Sequence, residues 1–475
     1  MTATITPPIV DKTNIQRIFK LQQANQFNIA KTSACERIAK LRKLEKALIQ
    51  HRQAIRDAVY ADFRKPATEV DIAEIYAVVS EIRHAIKNLR RWMSPQRVPV
   101  PIMLIGASSH IIYEPKGVVL VIAPWNFPLL LTLGPVASAI AAGNCVTIKP
   151  SELTPHTSAL MGKLIREIFP ENEVAIFEGD AEVAKTLLDL PFNHIFYTGS
   201  PAIGKVIMAA AAKNLASVTL ELGGKSPTII DETANLDLAV GRIAWSKFTN
   251  GGQACVAPDY VLVHERVKDA FVEKMQKRLQ QFFSDNAQQS DSYTRIVNSR
   301  HFERIKDYVD EAVARGAKVV AGAQVAAQEN YLAPTLLTDV PLDTKVMEEE
   351  IFGPVLPILS FKNLDEALQL INSKERPLAL YMYSKNQQHI QTIIQNTRSG
   401  GVAINHSEVH FFNYDLPFGG VNNSGIGKAH GWFGFEAFSN ARGVFRQNFW
   451  GGTELIMPPY NGFKQKIVDL LIKWF

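Results

Sequence analysis

Cys255 stands in FTNGGQACVAPDY (Phe248 to Tyr260), after two glycines and before a proline, and is one of only three cysteines in the chain. A thiol in such a turn gains little from packing. It either fills a small apolar gap, as most lone cysteines do, or it reacts. A free thiol has a pKa of about 8.5, and the thiolate is its reactive form. A nucleophile of this kind needs a lowered pKa or a base, access, and donors for the oxyanion it creates. Gly251 and Gly252 are expected to let backbone come close to a substrate, and Pro258 stiffens the exit. No histidine lies in the run, so a cysteine–histidine hydrolase has no local support, although His194, His264 or His406 could approach in space.

Two other stretches supply complementary groups. In APWNFP (Ala123 to Pro128), Asn126 sits between two prolines at the end of an apolar run. Its amide can donate to an oxyanion, or it can bond its own backbone in an Asx-type turn. In LELGGK, Glu221 ends another apolar run. A glutamate there is costly unless paired or used, so it is either a base or half of a buried ion pair, with Lys225 as the near candidate. YTGSPAIGK (Tyr197 to Lys205) is a Gly-Ser turn opening a helix, the arrangement that offers backbone N–H groups to phosphate. Its glycine spacing is GxxxxG, and a plain strand-to-helix turn has the same appearance. IKPSE adds Lys149 and Glu152, suited to ribose hydroxyls or simply the start of a solvated helix.

These residues need elements to hold them. Short β-branched runs, VVLVIAP, CVTIKP, VAIFEG, HIFYTGS and VTLELGG, alternate with helical stretches between Val118 and Gly224. That alternation predicts a parallel sheet covered on both faces, with ligands beyond the carboxyl ends of its strands. A second α/β series follows Ser226: SPTIID, YVLVHE, KVVAG, VLPILSF, LALYMYS and GVAINH. Thr32 to about Trp92 has helical spacing. Ser94 to Pro115 holds two β-type runs, PIMLIG and HIIYEP, read as a hairpin-like excursion, and Phe411 to Arg446 reads as loops and a connecting arm.

The bulk numbers agree with a globular protein of more than one domain: 475 residues, 47% apolar, 20% charged and a formal charge of +5. No dense basic block points to nucleic acid, and the three spaced cysteines form neither a disulfide framework nor a CxxC metal pair, so no metal is expected. The N-terminal stretch lacks a secretory pattern, and no apolar run is long enough to span a membrane, so a cytoplasmic protein is expected.

Taken together, PWNFP, KPSE, TGS with GxxxxG, LELGGK, GQACVAPDY, EEEIFGPVLPI and LPFGGVNNSGIG occur in an order and at spacings that resemble the NAD(P)-dependent aldehyde dehydrogenase superfamily, over about residues 30 to 450. GQACVAPDY, the short N-terminal segment and FGGVNNSGIG…FSNARGVF are most similar to its class 3 branch, which includes fatty and aromatic aldehyde dehydrogenases. Asn422 departs from the glycine usual there after FGGV.

The resemblance implies a Rossmann-like cofactor domain (1–93 and 115–224), a catalytic domain (225–405), an oligomerisation arm (94–114 and 406–446) and a tail (447–475). It implies Cys255 as nucleophile, Asn126 with the Cys255 N–H as oxyanion donors, and Glu221 as general base. Lys149 and Glu152 would hold the adenine ribose, with Trp125, Gly199, Ser200 and Gly204 near the pyrophosphate. Leu222, Glu350 and Phe352 would lie toward the nicotinamide, although EEIFGP read alone is a capped turn. NAD is the expected cofactor, with NADP also taken in the branch, and a homodimer the expected assembly.

Tyr76, Phe127, Trp245, Phe411 and Phe412 are candidates to line a pocket for medium, long or aromatic apolar aldehydes, or are plain core. Asn461 to Phe475 has an apolar face of Phe463, Ile467, Leu470, Leu471 and Trp474. It docks on its own protein, gates the pocket or touches a membrane surface. The competing functions are a coenzyme A-acylating dehydrogenase, against which Glu221 argues, and a retired scaffold.

Overall fold

The computed structural model describes residues 11–448 and 450–474; the first ten residues of the expected cofactor domain, together with Phe449 and Phe475 of the tail, lie outside them. The five expected strands of the first series form at Val118–Ile122, Cys145–Lys149, Val174–Ile176, His194–Thr198 and Ser217–Glu221. They lie parallel in the spatial order 217–221, 194–198, 118–122, 145–149, 174–176. Val118 to Ile122 are all buried because helices cover both faces. Along that strand the period of two divides the core. Val119 and Val121 pack with Leu41, Leu44 and Ile82 of the N-terminal helices. Val118 and Leu120 pack on the opposite face with Ile15, Phe19 and Leu187.

The register brings the strand ends into line. Ile122 is opposite both Lys149 and Tyr197, and Thr198 is opposite Glu221. The segments that follow, carrying Asn126, Glu152, Ser200 and Leu222, therefore leave the sheet along one edge.

The second series forms a seven-stranded sheet in the order 318–321, 335–338, 355–361, 260–264, 227–230, 379–383, 401–404, parallel except for the first pair. Cys255 precedes Tyr260–His264 and Glu350 precedes Val355–Phe361, so both stand at the amino edge of this sheet. The site thus forms where the carboxyl edge of the first sheet meets the amino edge of the second.

Several expectations are corrected. Thr335–Thr338 is a strand that the pattern reading missed. Helix Lys12–Ala30 was also missed: its polar composition hides a buried stripe of Ile15, Ile18, Phe19, Gln22 and Ile29. Gln22 compensates its burial by donating to Val146 O at 3.0 Å and accepting from Thr147 Oγ1 at 2.8 Å. In the arm, PIMLIG is not a strand, because its residues Ile102–Leu104 close a short 3-10 turn; the pairing strand is Gln96–Val98, which lies antiparallel to Ala107–Pro115.

Within 406–446, only Ser439–Gln447 runs in that arm, beside Ala107–Pro115. Gly425–Ile426 extends the first sheet, and helix Gly431–Ala437 packs Phe435 into its core. Asn422 adopts the left-handed conformation (φ 57°) that a glycine would supply, and its side chain accepts from Arg376.

The tail forms helix Gly462–Trp474 with no buried residue; it rests on Gly452–Ile456 and leaves Phe463, Leu470, Ile472 and Trp474 exposed. None of its residues lines a cavity at Cys255. Among the described residues, no helix is long and apolar enough to cross a membrane.

Candidate active site

The turn that carries Cys255 is built from three consecutive left-handed residues, Asn250, Gly251 and Gly252. Gly252 has a packing reason of its own. A side chain at Gly252 would run into the backbone carbonyl of Gly353, so this glycine lets the thiol loop pack on the loop carrying Glu350 and Phe352. Gln253 fastens the turn: its amide donates to Asn250 O (2.8 Å) and Arg295 O (3.0 Å) and accepts from Val297 N (3.0 Å).

Asn126 is buried beside this turn. Its Nδ2 donates to Gln253 O at 3.0 Å, and its own carbonyl accepts from Asn250 Nδ2 at 2.9 Å. The amide is thus held across the two domains and does not form the local Asx-type turn. One of its two N–H groups is used, leaving the other for a ligand oxygen. The segment is anchored by the buried pair Lys65–Glu74 (2.8 Å). Glu74 accepts from Leu129 N and Leu130 N at the start of helix Leu130–Ala142, and Lys65 Nζ lies 3.9 Å over the Phe127 ring.

Glu221 is buried, and neither carboxylate oxygen has a hydrogen-bond partner among the described residues. The suggested ion pair with Lys225 does not form: Lys225 pairs with Asp259 and donates to Val346 O and Glu349 O, both at 2.9 Å. Burial raises the Glu221 carboxyl well above the ordinary carboxylate range, with the Lys428 charge pulling weakly the other way. Burial likewise raises the Cys255 thiol, reinforced by the charges of Glu350, Glu221 and Glu408.

The three histidines named as candidates play other parts. His194 is buried against Ser217 and Lys116, His264 faces Glu232, and His406 bonds Ser407. The histidine that lines a cavity at Cys255 is His430, whose Nδ1 is 3.0 Å from Glu81 Oε2.

Along the shared strand edge, Ser200 caps helix Pro201–Ala212, and Gly199 precedes it. Gly204 lets that helix close on Leu222, since a side chain there would lie 2.9 Å from Leu222 Cδ2. Lys149 and Glu152 pair with each other. Trp125 meets Phe352 edge to face at 5.3 Å. Asp259 and Arg304, which the sequence did not single out, hold the intervening loop: Asp259 accepts from Ile351 N, and Arg304 donates to Glu350 O and Ile351 O. Burial lifts the Glu350 carboxyl to about 8. A capped helix N-terminus, the ribose-suited pair Lys149 and Glu152 and a buried Thr198 hydroxyl with no partner among the described residues fit a dinucleotide.

A cavity of about 130 Å³ opens on Cys255 between Phe127, Trp245, Phe411 and Phe412. Tyr76 does not line it; it stands exposed at the rim, with its ring 6.4 Å from Phe412. Glu69 and Glu408 do line it, and neither was foreseen.

Two parallel α/β units with a thiol, an amide and an unpaired carboxylate at their junction define a two-domain oxidoreductase built on a dinucleotide fold. The chain belongs to the aldehyde dehydrogenase family, whose pattern it matches over residues 2–444. It is 42% identical to the 4,4'-diaponeurosporen-aldehyde dehydrogenase of Staphylococcus aureus, covering 96% of this chain and 97% of that one. It is 40% identical to aldehyde dehydrogenase family 3 member I1 of Arabidopsis thaliana, over 94% and 82%, and 43% identical to the dimeric NADP-preferring aldehyde dehydrogenase of Canis lupus familiaris, over 88% and 91%. Among solved structures, the substrate-bound state of Staphylococcus aureus AldH superposes with a TM-score of 0.92 at 41% identity, over 96% of this chain and 99% of that one. The NAD+ complex of a Bacillus cereus aldehyde dehydrogenase gives 0.84 at 28%, over 92% and 89%. The protein is an oxidoreductase that acts on aldehydes.

Proposed function

We propose that this enzyme oxidises medium- to long-chain or aromatic apolar aldehydes to carboxylic acids with NAD, and also with NADP. The observation that carries the reading is Cys255 on the wall of an apolar cavity, with the buried Glu221 carboxylate on a second cavity that also reaches Cys255 and the Asn126 amide anchored to Gln253 O, two residues before it. Cys255 Sγ gives up its proton to solvent as it adds to the aldehyde carbon, giving a thiohemiacetal. Its oxyanion accepts from the free Asn126 N–H and from the Cys255 backbone N–H. A nicotinamide held beside Cys255 would supply the two-electron acceptor, so that the thiohemiacetal becomes an acyl thioester on Cys255. Glu221 then takes a proton from water attacking that thioester, and the acid departs as the thiol is restored.

Lys149 and Glu152 hold the adenine ribose, Gly199, Ser200, Gly204 and Trp125 border the pyrophosphate, and Leu222, Glu350 and Phe352 orient the nicotinamide side. The arm strands Gln96–Val98, Ala107–Pro115 and Ser439–Gln447 present an open edge at Ser439–Gln447 suited to pairing in a homodimer. The exposed apolar face of Gly462–Trp474 suits peripheral membrane contact by a cytoplasmic enzyme. Deleting 461–475 should then abolish flotation with lipid vesicles, and unchanged flotation would remove that assignment.

The test is a graded aldehyde panel with NAD and no coenzyme A. Acid and NADH should form in equal amounts, with kcat/KM for decanal or benzaldehyde above that for acetaldehyde. Acyl-coenzyme A as the product, with no acid in its absence, would overturn the reading.

A further inference from the structure

A second cavity, of about 50 Å³, meets the first at Cys255. The two share Leu130, Leu131 and Phe411 beside the thiol; the inner one continues past Gly134 toward Phe196 and Ala429, with Glu221 and His430 also on its wall. Gly134 sits in the interior of helix Leu130–Ala142, followed by Pro135. Both residues are poor helix formers. A packing reason is visible for Gly434 on the facing helix, where a side chain would lie 2.6 Å from Ser138 Oγ. None is visible for Gly134. A Cβ there would meet nothing closer than Leu130 Cδ1, at 3.9 Å. The missing side chain at Gly134 leaves room beside the reacting sulfur rather than allowing two backbones to touch.

An aldehyde whose carbonyl carbon rests at Cys255 can send one substituent into the outer cavity. A linear chain has no second substituent for the inner one. We propose that the inner cavity, held open by Gly134, seats a small alkyl branch on the carbon next to the carbonyl, so that the enzyme selects α-branched aldehydes with the longer or aryl arm in the outer cavity. The proposal rests on Cys255 being the nucleophile. It adds a discrimination between isomers that neither the apolar lining nor the chain length of the outer cavity supplies.

The isomers 2-phenylpropanal and 3-phenylpropanal test it, assayed with NAD on the full-length enzyme and on Gly134→Ala and Gly134→Leu. A methyl-sized difference in an apolar pocket discriminates by roughly tenfold or more. The ratio of kcat/KM for the branched over the linear isomer should fall about tenfold in Gly134→Ala and further in Gly134→Leu, while the linear isomer stays within about threefold of the parent. Gly134→Ala should also melt no lower than the parent, since its methyl meets only open space.

An unchanged ratio in both variants would make the cavity a packing void and overturn the proposal. So would an equal loss on both isomers in Gly134→Ala, which would assign Gly134 to packing. In either case, NADH formation from the linear isomer by the unmodified enzyme would leave the assignment of Cys255 standing.

Discussion

Replacing Asn126 with alanine isolates the oxyanion contribution from the integrity of the fold. The side chain is buried and held at 3.0 Å from Gln253 O, so its remaining N–H is fixed before any substrate arrives. A preorganised donor of this kind is worth about 2.7–4 kcal/mol, which predicts a fall in kcat of about 100- to 1000-fold. The structural cost is small by comparison. Gln253 O also accepts from Asn250 Nδ2 at 3.0 Å, so it keeps a partner, and only about 1 kcal/mol of stability should be lost. The assay is pre-steady-state NADH formation at saturating cofactor, with urea unfolding run alongside. A loss below about threefold with unchanged stability would refute the reasoning, because an anchored amide that serves no charge has no other use for its free N–H.

Two further outcomes follow from charges near the site. Burial holds the Glu408 carboxyl at about 8 against an ordinary 4.5, with Lys247 opposing and Glu69 reinforcing the shift. Between those values the folded chain keeps a proton that the unfolded chain has lost, so stability from this group falls as pH rises. Glu408→Gln should therefore raise the melting temperature at pH 8 and change it little at pH 5; equal effects at both would contradict the assignment. Glu152→Gln removes the carboxylate that would repel a ribose phosphate and frees Lys149, so the kcat/KM ratio of NADP to NAD should rise about tenfold. No rise would place the cofactor ribose elsewhere.

The first sheet was legible almost strand by strand because four of its five parallel strands are buried throughout and read as short continuous apolar runs. Thr335–Thr338 was not, since four residues behind Pro334 become a strand only through pairing with 318–321 and 355–361, which lie apart in sequence. Helix Gly431–Ala437 was hidden by its glycines, which look like loop but serve close packing near Ser138 and Tyr414. Cys255, Asn126 and Glu221 could be found because each is a residue type at odds with its surroundings. Gln253, Asp259, Arg304 and the Lys65–Glu74 pair could not: their contribution is to hold other residues, and nothing local distinguishes a buried anchor from a surface polar group. Glu408 and Gly134 gave no signal either, as their meaning depends on the cavities they border.

The central claim concerns a single sulfur. Glu221→Gln, mixed with decanal and NAD, should release one equivalent of NADH and then stall, because the acyl group has no base to assist its hydrolysis. Intact-protein mass spectrometry should find the chain heavier by one decanoyl group in place of a hydrogen, mapped to the peptide containing Cys255 and absent from Cys255→Ser. NADH release with no acyl adduct, or with the adduct on another residue, would contradict the account.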